Sequence, residues 1–143
     1  GTKYKDLVDK IIAVLQANND LKKPDVFKGN FGFPTEGAER HPYIAVKLTG
    51  VDRPFDERSS GKVLEVYSFI IRVRVLDAKP DAAEIFVLGK ADIIESIFRA
   101  NKDLDGTVDY GWSDGLEAEP LPQRADFALA GVDIKFSCRK RVV

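Results

Sequence analysis

The chain has 143 residues, enough for one domain that buries roughly two thirds of its unfolded surface. Its 22 basic and 23 acidic side chains nearly cancel, which excludes a nucleic-acid binder held by bulk charge. Cys138, the single cysteine, excludes an intramolecular disulfide and suits a reducing compartment. No run approaches the ~18 apolar residues of a membrane helix, and the N-terminal pattern is that of an amphipathic helix, not a signal peptide. The expectation is one soluble domain, made inside the cell and spanning residues 1–143.

Residues 3–18 read as a helix. Tyr4, Leu7, Val8, Ile11, Ile12 and Leu15 recur at i, i+3 and i+4 spacing within an arc of about 140°, one side of a helix lying on a sheet. Residues 20–42 are mostly irregular, with a short strand at Val26–Lys28 and phenylalanines at 27, 31 and 33 pinning a glycine-rich connection to the core. Tyr43–Thr49 alternates as a strand with Ile44, Val46 and Leu48 on one face. The polar stretch Gly50–Lys62 reads as a long loop, well beyond the usual two to five residues of a hairpin turn.

Val63–Leu76 follows, rich in β-branched and aromatic residues and free of Gly, Pro, Asn and Asp. One alternate set is apolar except for Glu65; the other turns basic at Arg72 and Arg74. At about 3.3 Å per residue it would run about 46 Å, across a domain somewhat under about 40 Å wide. A second helix is predicted over 81–100, opened by Pro80 and by Asp81 and Glu84 as a capping box. Its apolar residues form two adjacent stripes covering roughly 240°, more than one sheet can bury. Either the first helix or another subunit must cover the excess. Asp105-Gly106 marks a turn, Thr107–Trp112 a short strand, and Ser113–Arg124 a loop. Ala125–Arg139 closes the chain as a half-buried strand, with Gly131 marking a bulge or close approach and Arg139, Lys140 and Arg141 forming a solvated tail.

No catalytic constellation emerges. His41 and Cys138 stand 97 positions apart, and Cys138 falls on the apolar face of its strand. Asp103/Asp105 and Asp114/Glu117/Glu119 lack the register of a calcium loop, and no phosphate-cradling glycine loop is present. Catalytic, cofactor and metal sites are therefore assigned to no residue. The acidic surroundings of Tyr110 and Trp112 oppose base stacking, so no specific nucleic-acid contact is expected, and no membrane contact.

The order helix, short strand, strand, loop, long strand, helix, strand, long strand resembles that of the tail-terminator (tail-completion) proteins of long-tailed bacteriophages. Pro42-Tyr-Ile-Ala-Val-Lys-Leu-Thr-Gly50 resembles the family's strand leading into a charged loop, Val63–Leu76 with Pro80 its long strand and second helix, and Ala125–Cys138 its closing strand. The 113–124 loop and basic C-terminus depart from it. The resemblance implies an α/β fold of α+β type, a mixed or antiparallel sheet with two helices packed against it. It further implies a non-enzymatic virion protein of the tail or neck, assembled in the host cytoplasm. Such a protein forms a homo-oligomeric, hexameric ring that caps the tail tube, stops its polymerisation and docks the head connector. Its partners would be itself, the tail-tube protein and the head-completion protein. The ring interface is expected at Val87, Leu88, Ala91 and Phe98 with Arg72 and Arg74, the long strand lending its edge to a neighbour's sheet. Arg53, Asp56, Glu57 and Arg58 would face the tube or lumen. Another neck ring protein, or a small ligand-binding domain built on Phe27, Phe31, Phe33, Tyr110 and Trp112, are the alternatives.

Overall fold

The computed structural model describes residues 3–21, 34, 41–57, 62–119 and 128–142, without the side chains of 55–57 and 62. The expected strand at 26–28, Phe27, Phe31, Phe33 and Arg58 lie outside the described residues. Two helices, α1 (Lys3–Gln16) and α2 (Pro80–Ala100), accompany four strands: β1 (Tyr43–Glu57), β2 (Lys62–Asp77), β3 (Tyr110–Ala118) and β4 (Ala128–Val142). The strands form one sheet of order β1-β2-β4-β3, every pair antiparallel. The fold is α+β, as expected, with an antiparallel and not a mixed sheet.

The long strand is the centre of this sheet. β1 pairs with it from Glu57↔Lys62 to Tyr43↔Arg74, and β4 from Val142↔Val63 to Ala128↔Asp77. From Val63 to Arg74 both sides of its backbone are therefore occupied, and that length has no edge to lend to a neighbour. Two features around it differ from expectation. The stretch 50–57 stays paired as strand and is not a loop, because register shifts at Leu48/Gly50 and Asp52/Phe55 absorb its irregularities. Pro54, which has no N–H to give, sits in the second shift on an outer strand, where a missing donor is tolerated. The basic end of the chain is not a tail either: Arg139, Lys140 and Arg141 continue β4 because β2 offers partners as far as Val63.

The second hairpin differs from expectation in the same way. β3 runs on through Ala118, bent by a bulge between Ser113 and Gly115, and Gly115 holds a φ of 114° that a side chain would resist. Gly131, expected to mark a bulge or a close backbone approach, makes no bulge and is in regular register opposite Arg74. The Asp105-Gly106 turn stands, with φ of 57° and 84° at the two residues and the Asn101 side chain bridging to Asp105.

Both helices lie on one face of the sheet. Phe69, Ile71, Val73 and Val75 of β2 line up with Ile44 and Val46 of β1 and with Val132, Ile134 and Phe136 of β4, all buried. Leu7, Val8, Ile11, Ile12 and Leu15 of α1 and Ala83, Val87, Ala91, Ile94 and Phe98 of α2 close the core from above. Phe98 stacks on Phe136 with ring centroids 4.2 Å apart. The capping box at the head of α2 does not form. Pro80 takes the first helical position, so Lys79 is the N-cap and makes no side-chain cap, while Asp77 Oδ1 accepts the Lys79 N–H at 3.0 Å.

Candidate functional site

The two apolar stripes of α2 have opposite fates. Val87, Ala91 and Phe98 recur with Ala83 and Ile94 at steps of three and four, so they point into the sheet and are almost wholly buried. They are core, and the expected ring interface cannot use them. Phe86, Ile93 and Ile97 are partly buried against the same core. Ile97 and Ala100 share an open groove with Ala13, Val14 and Ala17 of α1, so α1 flanks part of the excess that one sheet could not cover. What remains is Leu88 at 44% exposure and Ile85 at 72%, with Leu116 of β3 at 43%. Of the four apolar interface residues expected on α2, Leu88 alone reaches the surface; Ile85 and Leu116 are exposed apolar residues outside that expectation. Ser113 Oγ of β3 donates to Glu95 Oε2 of α2 at 2.8 Å, and Leu88 lies two turns from Glu95 on the same side. The flank of α2 carrying Leu88 therefore faces β3.

Arg72 and Arg74 also belong to the chain's own structure. On the sheet face away from the helices, Arg72 Nε and Nη2 donate to Asp133 at 2.8 and 3.0 Å, and Arg74 Nε and Nη2 to Glu119 at 3.1 and 2.7 Å. Arg72 Nε lies 3.0 Å from Glu119 as well. These paired, planar contacts join β2, β4 and the end of β3, with all four side chains under one fifth exposed. The hydrogen bond to Asp133 and the neighbouring charges raise the Arg72 pKa further, against the cost of burial. Arg72 and Arg74 thus face inward to carboxylates, not outward to a neighbour.

Arg53 is likewise engaged. Its Nη2 lies 2.7 Å from Glu65 Oε2 and donates to Tyr4 Oη at 3.2 Å. Glu65, 1% exposed on the helix face of β2, also accepts Lys3 Nζ at 2.9 Å and the Tyr67 hydroxyl at 2.8 Å. Burial pushes its carboxyl pKa up. The hydrogen bonds from Lys3, Tyr67 and Arg53 outweigh that and hold it below the usual range. Burial and the adjacent carboxylate push the Tyr67 hydroxyl up. One carboxylate so ties the start of α1, the outer half of β1 and β2. Its signal was visible: Glu65 is the one charged residue in β2's apolar alternate set. Asp56 and Glu57 lie in β1 beyond Arg53, within the hairpin and not on a free loop.

Nothing assembles for catalysis among the described residues. Cys138 is fully buried, and its pKa is pushed up to about 12 by burial alone. It pairs with Tyr67, whereas His41 precedes Tyr43, the partner of Arg74. Those positions on β2 are roughly 23 Å apart along the strand. Asp114, Glu117 and Glu119 diverge to Trp112 and Ser137, to Lys135, and to Arg74 respectively. Among the described residues no group of three metal-ligating side chains occurs, and no helix is long and apolar enough to cross a membrane.

One concavity has a distinctive lining. A groove of about 360 Å³ runs between the last turn of α2 and the start of β3, bounded by Glu95, Phe98, Arg99, Lys102, Tyr110 and Trp112. Its floor is the bare backbone of Gly111, where a Cβ would come within 2.8 Å of the Phe136 ring. No protein-family model matches the chain, and a search of curated proteins gives no significant match.

Proposed function

We propose that this chain is a structural ring subunit of the phage tail-terminator type, which caps a tail tube, stops its growth and presents a face to the head connector. The reading is supported by the element order and carried by one observation: Ile85, Leu88 and Leu116 expose apolar surface on α2 and on the outer strand β3. The interface moves accordingly from the buried stripe of α2 to its outer flank. Magnitudes shape the proposal. These three side chains expose the equivalent of roughly one and a half whole ones, and burying them contributes about 3 kcal/mol. Association costs about 4 kcal/mol or more before any contact is made. The free chain is therefore a monomer or a weak oligomer, and the ring closes on the tube, where each subunit gains tube contacts and two neighbours. Sedimentation of the free chain, and electron microscopy after mixing it with its polymerising tube protein, test this. The expected result is ring-capped tubes of arrested length. Tubes that lengthen as they do without the chain would sink the proposal.

A further inference from the structure

The outer strand β3 is guarded along only half its length. Its upper half carries the Ser113/Gly115 bulge together with Asp114 and Glu117, devices that discourage pairing with another chain. Its lower half, Tyr110–Ser113, carries no bulge and no charge, and no described strand pairs with its outer side. Beside that half lies the groove at the end of α2.

The polar groups around the groove are unevenly matched. Each nearby carboxylate is held by a neutral donor: Glu95 by Ser113 Oγ, Asp114 by Trp112 Nε1 at 2.7 Å and Ser137 Oγ at 2.5 Å, and Asp109 by the Arg141 backbone N–H at 2.9 Å. The cations are not neutralised in turn. Arg99 donates to Ser96 Oγ at 3.0 Å, while Lys102 and Arg139 lie 5.7 and 5.8 Å from the centre of the Tyr110 ring. Among the described residues no carboxylate pairs with any of these three. Cations in the last turn ordinarily complement the helix dipole, which accounts for Arg99 and not for the groove beside it.

We propose that this groove takes an extended peptide segment carrying an acidic side chain, laid alongside Tyr110–Ser113. Main-chain pairing along the strand supplies the affinity. Side chains of an added strand alternate between the sheet faces, so one of them enters the groove on the helix side. There the carboxylate meets Arg99 and Lys102, beside Gly111, whose missing side chain lets the strand close on the Phe136 ring. The inference goes beyond the ring proposal and does not depend on it.

Trp112 is the only tryptophan of the chain and lies within Tyr110–Ser113, so its emission reports pairing along this segment. The probe is a capped Thr-Val-Glu-Val-Thr peptide titrated against the full chain, with Thr-Val-Gln-Val-Thr as its uncharged counterpart. The expected result is a saturable change in Trp112 emission, with affinity at least tenfold lower for the glutamine peptide. The Arg99→Gln, Lys102→Gln double variant, altered at two exposed positions, should lose binding to the same degree, with no more than the small loss of stability that follows from removing cations at a helix C-terminus. No saturable response, or equal binding of the two peptides, would overturn the proposal without recourse to any variant. Displacement of the peptide by an equal concentration of free glutamate would assign the groove to a small anion and overturn it also. Loss of self-association in the double variant without any peptide binding would assign the groove to the ring contact, with the same consequence.

Discussion

Along β1 the outer strand is tied to the first helix by side chains, whereas along β3 the outer strand is held more loosely by the second. At β1, the first turn of α1 reaches over the outer strand. Tyr4 meets Arg53, Arg53 meets Glu65, and Lys3 meets the same carboxylate. At β3, α2 touches the strand through Ser113 and Glu95 but leaves Leu88, Leu116 and an open groove. The β1 side concentrates stability in one buried acid, Glu65; the β3 side leaves Leu88 and Leu116 exposed and contributes less to stability. Substitutions on the two sides should therefore separate folding from association.

The largest effect is expected at Glu65. Glu65→Ala leaves the buried Tyr67 hydroxyl without its acceptor and opens a gap, while Lys3 and Arg53, about half exposed, rehydrate cheaply. The cost is about 3 kcal/mol, a fall in Tm of roughly 6–12 °C by calorimetry. Loss of less than about 0.5 kcal/mol would show that the side-chain tie along β1 is decorative. The same group sets an acid dependence. Its folded pKa lies below the ordinary value of a glutamate carboxyl, so its contribution is fully present above that ordinary value and is lost as the pH falls through the lower, folded one. Melting curves between pH 7 and pH 3 should therefore fall less steeply for Glu65→Gln than for the natural chain. Parallel slopes would remove Glu65 from the account.

Tyr67→Phe should cost less, about 1 kcal/mol, because Glu65 keeps Lys3 and Arg53 when the hydroxyl goes. If Tyr67→Phe and Glu65→Ala were equally damaging, the hydroxyl and not the cations would be the reason the acid is buried there. Denaturant unfolding of the two single variants and the double variant decides between these, since coupled neighbours are non-additive.

The fold was legible where local pattern and tertiary context agree. α1, the alternation of β2 and β4, and the Asp105-Gly106 turn satisfy a single periodicity or turn chemistry each, and all stand. The failures share one physical cause, that strand pairing overrides local polarity. Gly50–Glu57 and Ser113–Ala118 look like loops by residue type, yet a neighbouring strand satisfies their backbone and bulges absorb the misfits. At the surface, a 240° apolar arc on α2 did reveal that more than one partner was needed. It does not say which stripe the sheet would claim, because that depends on the crossing of α2 over β2 and β4. Arg72 and Arg74 were misjudged because Asp133 and Glu119 are remote in sequence and meet them only through the β2–β4 register.

The smallest effect on stability is expected on the β3 side. Ile85 is 72% exposed on α2, so Ile85→Lys removes almost no buried surface and should change unfolding free energy by less than about 0.5 kcal/mol. Leu88→Lys, at 44% exposure, should stay near the same limit. Association is a different matter, because an ammonium buried between subunits without a carboxylate partner is costly, and most so in a ring that repeats the contact at every interface. The two variants should therefore melt as the natural chain does while failing to form rings on the tube. Rings formed as readily by Ile85→Lys as by the natural chain would move the interface off this flank of α2. A large loss of stability would instead mean that α2's outer flank, like the buried stripe of Val87, Ala91 and Phe98, is already part of the folded core.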